Sequence, residues 1–129
     1  GNSLTLVDGV QGKLPWNGAE WVGFDTNRIV LEIDFLTLKK LSTVSIGFLD
    51  DLSSWIHVPE KVNFRISSDG KKWEKVSTIS AQTLTRSPIN REARYLRIEI
   101  HSQKSIPNGL PGAGHVPWTF LDEIMLEME

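Results

Sequence analysis

Residues 47–70, GFLDDLSSWIHVPEKVNFRISSDG, read as the end of one β-strand, a polar loop and a second strand closed by a turn. In the second strand Val62, Phe64 and Ile66 alternate with Asn63, Arg65 and Ser67, the period of two that turns one face of a strand to a core. Asp69-Gly70 between apolar runs is a hairpin signal, so Trp73, Val76 and Ile79 are expected on a return strand. The loop holds Asp50, Asp51, Ser53 and Ser54 around Trp55, then His57 and Pro59. A large aromatic ring among polar neighbours is either a plug or a contact surface.

Outward from this stretch the same alternation recurs. Leu4 to Val7 is a short apolar run stopping at Asp8-Gly9, and the span from Gly9 to Asp25, with its glycines, Pro15, Trp16 and Trp21, has the composition of a compact loop. Ile29, Leu31 and Ile33 form a half-buried strand; a turn carrying Lys39-Lys40 is expected before a second one, Val44, Ile46 and Phe48. After a polar segment with Pro88, Leu96, Ile98 and Ile100 point inward against Tyr95, Arg97 and Glu99. A Gly- and Pro-rich loop from Ser105 to Pro117 precedes the last strand, Thr119 to Met128, where Phe120, Ile124, Leu126 and Met128 are expected on one face. No helical period is sustained. Six or seven short alternating strands imply an all-β chain folded as an antiparallel β-sandwich or jelly roll.

The chain of 129 residues is one domain's worth, and its 40% hydrophobic and 23% charged residues are ordinary for a globular protein. No apolar run approaches the roughly 20 residues that span a bilayer. A net charge of -2 gives no electrostatic reason to approach a phosphate backbone, and the basic doublets Lys39-Lys40 and Lys71-Lys72 sit in expected turns, so nucleic acid is not an expected partner. The absence of cysteine excludes disulfides and zinc-thiolate sites. The opening Gly-Asn-Ser reads as a domain, residues 1–129, cut from a longer polypeptide, with any targeting signal upstream.

LVDGVQG, WVGF, IVLEID, STVSIGFL, SSWIHVPEKVNFRISSDGKKWEKV, RYLRIEI and WTFLDEI together resemble the discoidin, or coagulation-factor type C, domain across nearly the whole chain. Its bacterial relatives include family 32 carbohydrate-binding modules, and this version looks like those attached to family 20 β-N-acetylhexosaminidases, or chitobiases. The resemblance implies a discoidin-like jelly roll with ligand loops at one end, often a structural calcium ion, and a secreted, periplasmic or cell-surface bacterial setting. One departure concerns geometry: where relatives have Asp-Leu-Gly, this chain reads Asp34-Phe35-Leu36, so a turn must be made without glycine.

Calcium takes several hard oxygen ligands, many from main-chain carbonyls, which suits a glycine-rich turn with one carboxylate joined by another. Asp8 and Glu123 fit the side-chain roles that the family implies, with carbonyls near Val10 and Gly12; otherwise Asp8 is a turn residue and Glu123 an exposed strand position. Sugars stack their C–H faces on aromatic rings while hydroxyls bond fixed polar groups. Three loops offer this: Trp16 with Asn17 and Glu20, Trp55 with Asp51 and His57, and His115 with Trp118. Trp16 and Trp55 lie deepest in polar loops; Trp21, Trp73 and Trp118 adjoin strand-like runs and are expected to be structural.

Catalytic residues are not expected. Asp50 and Asp51 are adjacent, a poor acid and base pair, and no nucleophile, metalloprotease or phosphate-loop motif is present. The expectation is a non-catalytic carbohydrate-binding accessory module of a glycoside hydrolase, directed to an N-acetylglucosamine- or galactose-type sugar. The alternative is a structural module packing on the neighbouring catalytic domain. Membrane binding is not expected, since the loops lack the basic residues that anionic lipid attracts.

Overall fold

A computed structural model describes residues 2–7, 12–13, 22–24 and 28–128, with side chains for residues 28–121 and 123–128. The strands are β1 (Asn2–Val7), β2 (Gly12–Lys13), β3 (Val22–Phe24), β4 (Arg28–Phe48), β5 (Lys61–Ser67), β6 (Glu74–Ser80), β7 (Leu84–His101) and β8 (Thr119–Met128). Among the described residues no helix is long and apolar enough to cross a membrane.

The sandwich is one curled sheet. β4 and β7 run antiparallel through both of its layers, pairing Arg28 with His101 at one end and Gly47 with Leu84 at the other. In the first layer β7 also pairs with β5, β5 with β6, and β1 lies parallel to β4. In the second, β4 pairs with β8, whose other edge receives β2 and β3. Ile29, Leu31 and Ile33 from the first half of β4 therefore meet Val44, Ile46 and Phe48 from its second half in one core, with Phe64, Leu96, Ile98, Ile100 and Leu121. The inward residues expected of β5 and β7 are all buried.

Four expectations need correction. The turn expected between Ile33 and Val44 is a bend within β4: the register passes from Asp34–Tyr95 to Lys39–Ala93, so residues 35–38 face only Arg94, and the Lys39-Lys40 doublet is strand. Extra residues on one strand bend it, which here carries the chain from layer to layer without breaking the ladder. β7 likewise begins at Leu84 and runs through Pro88, and residues 9–25 contain β2 and β3. In β8 the pairing skips from Ile46–Ile124 to Phe48–Leu121, a bulge that turns Leu121 into the core in place of Phe120.

The bend is made without glycine. Leu36 takes a left-handed conformation (φ 71°), and the Asp34 carboxylate accepts its N–H at 2.8 Å while also receiving Arg94 Nε and Nη2 at 2.9 and 3.1 Å. The Asp-Gly hairpin is present as expected: Gly70 has φ 78°, and Asp69 Oδ1 accepts the N–H groups of Lys71 and Lys72 at 2.8 and 3.0 Å. Trp73 is structural, edge-on to Tyr95 with the Arg97 guanidinium 4.0 Å from its ring centroid.

Candidate functional site

Because β4 and β7 bend at the opposite end, the loops 49–60, 81–83 and 102–118 emerge together, where Arg28, Lys61, His101, Phe48, Leu84 and Thr119 begin or end strands. The first of these loops is knitted by its own residues. Asp51 and Ile56 exchange main-chain hydrogen bonds at 3.0 and 2.9 Å around a one-turn helix, Leu52–Ser54. The Ser53 and Ser54 hydroxyls donate to the Asp51 carboxylate at 2.8 and 3.0 Å and hold its carboxyl below the usual range. Trp55 follows with φ 63°, a left-handed conformation that disfavours any residue with a side chain. Hydrogen bonds hold it there: its N–H donates to Leu52 O at 3.1 Å and its carbonyl accepts Trp118 N–H at 2.8 Å.

The loop 102–118 folds back over that tryptophan. Ile106, only 2% exposed, anchors it, with its N–H donating to His115 O and its carbonyl accepting Gly114 N–H. This places the His115 ring on the Trp55 indole, centroids 4.7 Å apart and planes 25° from parallel. Gly112 lies against the same indole: a Cβ there would sit 2.4 Å from Trp55 Cε2, and its φ of 79° also favours glycine. Trp55 is thus neither a free platform nor a buried plug. It is a half-buried base carrying His115.

Trp118, expected to be structural, is 39% exposed, beside Phe120 with ring centroids 5.9 Å apart. The signal was in the parity of β8: Thr119 and Leu121 are buried, so Trp118 and Phe120 turn the other way, and only the bulge hides this from a reading that begins at Ile124. His57 is the opposite correction. Expected as a surface contact, it is 4% exposed, because its N–H donates to Trp118 O and the segment is drawn over the end of the core. Its Nε2 has no hydrogen-bond partner among the described residues.

Of the residues named from sequence, the structure therefore joins Trp55 and His115, uses Asp51 to shape their loop, and buries His57. Trp16, Asn17, Asp8 and Val10 lie outside the described residues. Gly12 pairs with Leu126, on the strand that also carries Glu123. A carboxylate joined by main-chain oxygens is the kind of donor set calcium takes. Among the described residues no three acidic, histidine or cysteine side chains form a metal cluster.

No family model matches the chain, and no curated protein matches it. Solved structures do. A Clostridium perfringens module, CpGH89CBM32-6, is 15% identical over 88% of this chain and 79% of its own, with a TM-score of 0.64. The C-terminal domain of a Bacteroides fragilis chitobiase is 15% identical over 88% and 75%, with a TM-score of 0.58. The CBM32 of AlyQ, solved in complex with 4,5-unsaturated mannuronic acid, is 13% identical over 86% and 79%, with a TM-score of 0.57.

Proposed function

We propose that this chain, which has the discoidin-like fold of the family 32 carbohydrate-binding modules, is itself a non-catalytic carbohydrate-binding module of a secreted or surface glycoside hydrolase. The observation that carries the reading is the exposed Trp118 indole at the loop end, next to Phe120 and joined through its main-chain N–H to Trp55, on which His115 stacks. An indole face held in place without further ordering suits the C–H face of a pyranose. A β-N-acetylhexosaminidase as parent enzyme, and an N-acetylglucosamine- or galactose-type sugar as ligand, are the finer parts of the proposal. One shallow site binds weakly, with Kd from about 1 mM to about 1 μM, and tethering to a catalytic domain raises the local substrate concentration.

Calorimetry with N-acetylglucosamine, N-acetylgalactosamine and galactose tests it. Trp118→Ala should abolish the heat of binding while the protein still unfolds in one cooperative transition, since the ring lies outside the core at the loop end; silence of the wild-type protein toward all three would remove the reading. Calcium at Asp8 and Glu123, with main-chain oxygens near Val10 and Gly12, is proposed as a structural ion supplying charge neutralisation at the β2–β8 edge. A chelator should then lower the melting temperature and Glu123→Gln should remove that response.

A further inference from the structure

At the same end, a cleft of about 410 Å³ is lined by Arg28, Glu60, Lys61, His101, Ser102 and Lys104. Its charge is unbalanced in a chain whose net charge is -2. Arg28 Nη2 lies 2.8 Å from Glu99 Oε2, but the other oxygen of that carboxylate is taken by Arg65 Nε at 2.8 Å, so one acid faces two guanidinium groups. Lys61 and Lys104 are exposed and make no ion pair among the described residues. Glu60 is the one carboxylate in the lining and opposes them.

His101 is oriented by its neighbours. The Thr78 hydroxyl donates to Asn63 Oδ1 at 2.7 Å, which leaves the Asn63 amide nitrogen facing His101 Nε2 at 3.3 Å. Nε2 therefore accepts, and Nδ1 carries the proton of the neutral ring. Burial, then Lys61 and Arg28, hold the imidazole below its ordinary pKa, against the smaller pull of Glu99 and Glu60. The cleft is tied to the aromatic end: Glu60 N–H donates to His101 O at 2.8 Å, Gln103 Nε2 donates to Val58 O at 3.2 Å, and the Ser102 hydroxyl bonds that of Thr119, the neighbour of Trp118.

We propose, resting on the carbohydrate-binding reading, that this cleft takes the anionic group of an acidic saccharide, with Lys61, Lys104 and Arg28 supplying charge and His101 a hydrogen-bond donor. A carboxylate or a sulfate ester presents the same chemistry: oxygen acceptors bearing negative charge, to which ammonium and guanidinium groups donate charge-assisted hydrogen bonds.

The test follows the His101 ring by NMR while galacturonate, galactose 6-sulfate, galactose or inorganic sulfate is added. An acidic sugar should raise the His101 pKa by about half a unit, because the bound anion offsets Lys61 and Arg28. Galactose should not move it. Lys61→Met with Lys104→Met should cost about tenfold in affinity for the acidic sugar, about 1.4 kcal/mol, and leave galactose unchanged. The better of the two acidic sugars tells carboxylate from sulfate. No change at His101 with either one overturns the proposal, as does an equal response to inorganic sulfate, which marks an adventitious ion only. Trp118→Ala separates the two readings: if the His101 response survives while neutral sugars never bind, the cleft stands and the aromatic platform falls; if neutral sugars bind and the acidic group adds nothing, the reverse holds.

Discussion

Trp55 and His115 belong to different loops, yet their rings stack at 4.7 Å, with Gly112 closing on the indole. The contact sets the shape of the loop end. Gly112→Ala places a methyl group inside the indole's contact distance and a side chain in a left-handed conformation, and should cost about 2–4 kcal/mol in chemical denaturation. His115→Ala removes the stack alone and should cost about 0.5–1.5 kcal/mol, with easier quenching of tryptophan fluorescence by acrylamide. Equal stability of Gly112→Ala and the wild type would mean that the loop does not rest on Trp55.

Leu36 is 51% exposed and left-handed, so its side chain contributes little burial while its backbone is strained. Leu36→Gly should stabilise the protein by about 0.5 kcal/mol, since relief of about 1–2 kcal/mol is offset in part by the larger entropy of glycine in the unfolded chain. A rise in the denaturation midpoint at unchanged slope checks this.

Glu99 sits on the outer side of the first layer with its side chain only 7% exposed. Burial pushes its carboxyl up, but hydrogen bonds from Arg65 and Arg28 outweigh this and hold it below the ordinary glutamate range. A lowered folded-state pKa contributes stability that is present above the unfolded value and lost as pH falls through the folded one. Glu99→Gln should therefore cost about 1–3 kcal/mol near neutrality, and the difference should shrink below about pH 4, where the unfolded chain takes up the proton.

In the β5–β6 hairpin, the N–H groups of Lys72 and Lys71 lower the pKa of Asp69 to about 2. By the same sign rule, the turn it caps should hold through mildly acidic solution and loosen only as pH falls toward about 2. Asp69→Ala should lower the melting temperature at pH 7, with the gap to wild type closing in strong acid. Amide exchange at Gly70, Lys71 and Lys72 reports this directly.

The period-two alternation of Val62, Phe64 and Ile66 and of Leu96, Ile98 and Ile100, with Asp69-Gly70 as a hairpin, determined from sequence alone an all-β sandwich with these residues in its core. Alternation is a local property of a strand, so it can be read without knowing what the strand packs against. The tertiary structure decided where strands bend and where parity flips. The residues facing Arg94 turn an expected turn into one continuous β4, and the β8 bulge sends Leu121 inward and leaves Trp118 partly exposed. It also decided that Trp55 would be a base, not a platform, and that Arg28, Lys61, His101 and Lys104 would share a cleft. Such facts depend on pairing between residues distant in the chain, and pairing register leaves no mark in any one segment's pattern.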